Sequence, residues 1–164
     1  MGGATKLMFF CGKMAAGKST LSKALAEREQ AMRLAQDDWL AALFPGEILE
    51  MADYLRCSAR LNAALTPLIV SLLSRGIPVV LDFPGNTTTQ RAWFRQLFEA
   101  AGVAHELHFI DVPDHVCKRQ LRERSAGLPA GTPWTTDAEF DVVTSYFQPP
   151  SADEGFHVIR HERT

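Results

Sequence analysis

Short apolar runs alternate with helical stretches from one end of this 164-residue sequence to the other, and few folds satisfy that order. Strands are expected near 5–11, 32–35, 77–82, 105–112 and 156–160, with helices near 18–30, 38–44, 51–75, 88–101, 114–125 and 137–146. Such alternation indicates an α/β fold, a parallel sheet covered by helices on both faces, because parallel neighbours need a crossover connection between them. Pro67 sits inside the longest helical stretch, where it is expected to kink or divide the helix. Sheets of this kind take ligands beyond the carboxyl ends of their strands. The residues just after strands are therefore where chemistry is expected.

After the first strand comes GKMAAGKST, Gly12 to Thr20. Two glycines five apart, the second running into Lys18 and Ser19, fit the Walker A spacing, and the flanking strand and helix are the context that the motif needs. In that motif the loop Gly12, Lys13, Met14, Ala15, Ala16 and Gly17 wraps phosphates with its amides. Lys18 reaches the outer phosphates, the Ser19 hydroxyl ligates Mg2+, and Thr20 continues the cradle into the helix. The helix behind it aims its amides and positive dipole end at the same anion.

The length gives one domain over 1–164, so nucleotide and substrate must share one cleft. A net charge of −2 without a basic block leaves no footprint for long nucleic acid or an anionic membrane. Three cysteines, Cys11, Cys57 and Cys117, form no CxxC pair and suit a reducing cytoplasm. The apolar run at the amino end is too short for a signal peptide, and LTPLIVSLL is too short to span a bilayer. These readings give a soluble cytoplasmic protein, in which the sequon Asn86-Thr87-Thr88 is not glycosylated. The sequence is silent on oligomeric state.

Acidic residues follow the next strands. Asp37 and Asp38 are adjacent after the second, where one carboxylate suits a general base taking the proton of an attacking hydroxyl and the other a helix cap. Asp82 closes the third strand. It suits Mg2+ through water, a substrate hydroxyl, or a plain turn. Asn86 and Arg91 lie just beyond, in reach of a polar substrate group, although Thr87-x-x-Gln90 also reads as a capping box and Arg91 as a solvated helix residue. Asp111, after the fourth strand, reads as structural. Arg119, Arg122 and Arg124 end a helix before a Gly/Pro-rich segment near 125–135, which reads as a short lid. Arg119 is placed with the nucleotide, Arg122 and Arg124 with the transferring phosphoryl group; the competing reading is a basic helix terminus complementing its dipole. The five histidines lack metal-ligand spacing, and Trp39 and Trp93 read as packing residues.

The Walker A loop, the Asp pair, Asp82 and the arginines before a lid together resemble the small P-loop kinases. These include gluconate kinase, chloramphenicol phosphotransferase, zeta toxin and the polynucleotide 5′-hydroxyl kinases, grouped among AAA-type ATP-binding domains. The resemblance covers nearly the whole chain and implies a three-layer P-loop NTPase fold with sheet order 2-3-1-4-5. It also implies ATP with Mg2+ and transfer of the γ-phosphoryl group to a small hydroxyl acceptor. By it Asp37 matches the general base, Asp82 and Arg91 fall where the acceptor is held, and 149–159 resembles a loop flanking adenine. Polynucleotide kinases follow their Asp pair with an aromatic residue and then an arginine; here Trp39 is followed by Leu40, which favours an uncharged small molecule. Competing readings are a nucleotide-binding regulatory switch and a toxin-like or antibiotic-modifying kinase. A switch has no need of Asp37, Asp82 and lid arginines around one cleft.

Overall fold

The structure, a computed structural model, describes residues 4–163. Five strands form one parallel sheet: β1 (Lys6–Gly12), β2 (Met32–Ala35), β3 (Val79–Asp82), β4 (Ala104–Asp111) and β5 (Val158–Glu162). Their spatial order is β2-β3-β1-β4-β5, the order that the resemblance implies. The helices are α1 (Lys18–Glu29), α2 (Gln36–Leu43), α3 (Met51–Ser74), α4 (Thr88–Ala101), α5 (Asp114–Ser125) and α6 (Asp137–Thr144).

β1 is central, and Leu7 through Cys11 are all fully buried. Its side chains still alternate, as a pleated strand requires. Leu7, Phe9 and Cys11 join the core under α3 and α4, while Met8 and Phe10 join the core under α1, α5 and α6. A strand buried on both faces therefore carries no polar alternation in its sequence. α3 supplies a stripe of Cys57, Leu61, Leu65, Ile69 and Leu73, four residues apart, to the first core.

The elements depart from the expectations in several places. α3 runs unbroken for 24 residues through Pro67, because Pro67 is exposed and the missing N–H lies on the solvent side. The Thr66 hydroxyl meanwhile donates to the Asn62 carbonyl at 2.7 Å, one turn back. By length and composition α3 is long enough to cross a membrane, although its apolar stripe faces the sheet. α2 begins directly at Gln36, with Ala35 as its N-cap and no side-chain cap, so Asp38 does not cap it. β5 begins at Val158, because Phe156 leaves the strand direction to pack edge-on against Phe9 and His105.

Candidate active site

The loop 12–17 crosses the carboxyl edge of the sheet between β1 and α1. Gly12 is buried, its N–H donates to Asn86 Oδ1 at 2.8 Å, and an added Cβ would press on Ile110 at 3.3 Å. Met14 and Ala15 pack partly on the core beneath, and Ala16 is 1% exposed within it. Gly17 holds φ 108, open to glycine alone without strain.

Elsewhere helix starts are protected. α3, α4 and α6 carry capping boxes, and α2 and α5 carry aspartates in the first turn. α1 has neither a side-chain cap nor an acidic first turn, which leaves its first amides open to an external anion. The Ser19 and Thr20 side chains are exposed there. Lys18 is partly buried and makes no ion pair among the described residues. Burial lowers its pKa, against the opposing pull of Asp82 and Asp37, with Arg124 adding to the lowering. Asp82, Asp37 and Arg124 are thus near enough for their charges to act on Lys18. A half-desolvated ammonium beside open amides fits a phosphate chain, and Ser19 with Asp82 fits Mg2+, which takes few protein ligands and completes its shell with water and phosphate. Among the described residues no cluster of three or more His, Cys, Asp or Glu offers an all-protein metal cage.

Asp37 and Asp38 are both exposed in the first turn of α2. Asp82 is 9% exposed. Its Oδ2 accepts from Arg33 Nη2 at 2.7 Å and lies 2.9 Å from Ser22 Oγ, to which Arg33 Nε also donates at 2.8 Å. One face of Asp82 is thus taken by structure, and only Oδ1 is left for metal or substrate.

Several expected roles are corrected. Arg91 is fully buried, and its guanidinium donates to Glu154 at 2.8 and 3.1 Å and to Gly85 O at 2.8 Å. It joins α4 to the 151–156 segment, and its guanidinium is taken up by these contacts. Asn86 uses its side-chain oxygen to brace Gly12, while its carbonyl accepts from Gln148 N. Lys13 turns its ammonium to Asp114 at 2.6 Å and over the Phe147 ring, so it contributes backbone to the loop. Arg122 forks onto Asp137 at 2.7 and 3.2 Å and ties α5 to α6. Arg119 and Arg124 remain exposed on α5. The 151–156 segment lies against α4, where Phe156 and the Glu154 carbonyl meet Arg95. The groove beside the phosphate loop is lined instead by Gly17, Leu21, Ile110, His161, Glu162 and Arg163, with a volume of about 250 Å³.

Five side chains near the site were not foreseen. Arg33 was readable as the lone cation of the four-residue strand MRLA. Tyr54 and Ser58 stand one turn apart on α3, a spacing that the sequence displays without saying what it faces. Trp134 and Arg163 gave no local signal.

Residues 7–150 match the family described as AAA domain. The chain belongs to that family. No curated protein matches the sequence. Among solved structures, this AAA domain is similar to a presumed kinase from Chloroflexus aurantiacus j-10-fl, with TM-score 0.75 and 20% identity over 97% of this chain and 85% of that one. It is also similar to the Mycobacterium tuberculosis APS kinase CysC in complex with AMPPNP and APS, with TM-score 0.64 and 20% identity over 98% and 91% of the two chains. A gluconokinase from Sinorhizobium meliloti 1021 matches with TM-score 0.61 and 16% identity over 94% and 82%. At these identities the likeness shows the fold, that of the small P-loop kinases.

Proposed function

We propose that this AAA domain is an ATP-dependent phosphotransferase that moves the γ-phosphoryl group to a hydroxyl of a small molecule. The observation that carries the reading is Lys18: an ammonium without an ion-pair partner among the described residues, at the uncapped and acid-free start of a long helix, with the charge of Asp37 acting on it. In this reading the loop 12–17 and the first amides of α1 hold the phosphates, and the groove between Gly17 and Arg163 takes the nucleoside. Lys18 and Arg124 stabilise charge on the transferring group. Ser19 and Asp82 would hold Mg2+, which would supply neutralisation of the phosphate oxygens. The acceptor oxygen forms a bond to Pγ as the bond from Pγ to the β–γ bridging oxygen breaks; Asp37 takes the acceptor proton, and ADP leaves. The segment 125–135, with turns at Ser125–Leu128 and Pro129–Thr132, serves as a lid that excludes water. The fold of kinase neighbours supports this chemistry at a coarse level.

The test is ATP turnover with and without acceptor. A phosphotransferase hydrolyses ATP slowly until an acceptor is added, whereas a switch shows no such stimulation. Lys18→Ala should weaken use of ATP. Asp37→Asn should lower transfer by about 10²- to 10⁴-fold while nucleotide affinity stays near the parent value. Transfer at the parent rate in Asp37→Asn removes that residue as base and passes the role to Asp38 or Asp82.

A further inference from the structure

Trp134 ends the 125–135 segment with φ 65, a left-handed conformation that costs a bulky residue roughly 1 to 3 kcal/mol. One carboxylate holds it there. Glu139 accepts from the backbone N–H groups of Trp134, Thr135 and Thr136 at 2.8, 3.1 and 3.2 Å, so the turn before α6 is wound around its side chain. The result is an indole carried from the α5–α6 side of the cleft to the first turns of α3. There it meets the Tyr54 ring edge-on, with centroids 6.4 Å apart at 65°. Tyr54 in turn donates its hydroxyl to Gln36 Oε1 at 2.8 Å, and Ser58 Oγ lies 3.5 Å from Gln36 Nε2. Gln36 directly precedes Asp37. Burial pushes the Tyr54 phenol up to about 12, so it stays a donor, and the charge of Asp37 acts on the same group. Asp37, Gln36, Tyr54 and Trp134 thus form one continuous wall.

That wall offers aromatic surface and a carboxylate, backed by the buried Gln36 amide, and carries no cation of its own. At about 100° per helical residue, Arg56 and Arg60 project roughly 200° and 240° around α3 from Tyr54. Arg56 pairs with Asp53, Arg33 with Asp82, and Arg91 with Glu154. An anionic acceptor would find no counter-charge beyond Lys18 and Arg124, which the transferring phosphoryl group takes in the reading above, and would meet the repulsion of Asp37 and Asp38. A neutral ring can lay its C–H face on the aromatic groups and direct a hydroxyl to Asp37. Resting on the phosphotransferase reading above, we infer that Tyr54 and Trp134 clamp the acceptor, and that the acceptor class is an uncharged ring bearing several hydroxyls.

Matched probes test this: glucose, ribose, myo-inositol and uridine against glucuronate, ribose 5-phosphate and UMP, with ATP–Mg2+ and with ADP and phosphorylated product both measured. At least one neutral ring should be phosphorylated, with kcat/KM more than about tenfold above its charged counterpart. Trp134→Ala should raise the acceptor KM about tenfold while the KM for ATP stays within about twofold, and Trp134→Phe should recover most of the loss. Trp134→Leu, which keeps apolar bulk without a π face, should match Trp134→Ala, so the test survives poor folding of the alanine variant. Transfer only to charged probes overturns the clamp and leaves the phosphotransferase reading standing. So does an unchanged acceptor KM in the alanine and leucine variants, or an ATP KM that rises in step with it. ATP turnover that responds to none of the probes overturns both.

Discussion

Ala15 sits at φ 63 in the middle of the phosphate loop, a left-handed conformation that glycine adopts freely and alanine does not. The loop tolerates it because neighbouring atoms fix the backbone: Ala16 N bonds Lys13 O at 3.1 Å, and Asn86 holds Gly12. Ala15→Gly should therefore leave the melting temperature unchanged or raise it, by up to about 1 kcal/mol of stability, since relief of strain offsets the greater freedom of the unfolded chain. Ala16→Gly is the control. Ala16 is absent from the positive-φ set and its methyl is buried, so that change should destabilise by about 1 kcal/mol. Thermal melts of the two variants check both signs; a loss in Ala15→Gly equal to that in Ala16→Gly would refute the strain.

Between elements, the joints are made by charge as much as by apolar packing. Arg91 on α4, fully buried, is balanced by Glu154, whose side chain is 17% exposed. Partial burial works to raise the Glu154 pKa, but the Arg91 donors and the Ser151 N–H outweigh it and hold the carboxyl below its ordinary 4.5. A depressed carboxylate pKa contributes stability that is present above the unfolded value and lost as pH falls below it. Glu154→Ala would leave the guanidinium buried without a counter-charge, a loss of about 3 kcal/mol, read as a lower denaturant midpoint with the m-value unchanged. A loss under about 1 kcal/mol would mean that water reaches Arg91 once the carboxylate is gone. Gly85, whose carbonyl also accepts from Arg91, admits no side chain: a Cβ there would overlap Phe10 O and lie 2.7 Å from the Phe94 ring.

For the molecule as a whole, pH acts through a group of histidines on the β4–β5 side. His108 is 2% exposed, with Nε2 3.1 Å from Glu106 Oε1 and Nδ1 3.0 Å from His161 Nε2; Lys6 pairs with Glu106 at 3.1 Å and with Glu29 at 3.4 Å. His105, His108 and His161 all titrate below the usual 6.5, with burial the largest cause in each. Arg95 adds to the shift at His105, Glu106 opposes it at His108, and Arg163 adds to it at His161. The unfolded chain takes up protons near pH 6.5 that the folded chain resists, so their contribution is complete above that value and lost as pH falls below it. Melting temperature should decline between pH 7 and pH 5, and His108→Gln should flatten the decline. A melting temperature that is level over that interval would contradict the shifts.

Order of elements, the phosphate loop and most helix boundaries were legible because they depend on neighbours along the chain: alternation, a spacing of five between glycines, a Thr87-x-x-Gln90 cap. α4 and α5 begin and end where the sequence placed them. The uses of the charged residues were not legible. Asp82 meets Arg33 from 49 positions away, and Arg91 meets Glu154 from 63, so those partners exist only once β3 lies beside β2 and the last segment folds back over α4. A carboxylate after a strand looks the same in sequence whether an arginine takes it or a metal does, because the field at a side chain is set by whatever the crossovers bring within a few ångströms. For the same reason the motif in the sequence gives the phosphate loop, while the wall from Asp37 through Tyr54 to Trp134, proposed as the acceptor side, came together only in the tertiary structure.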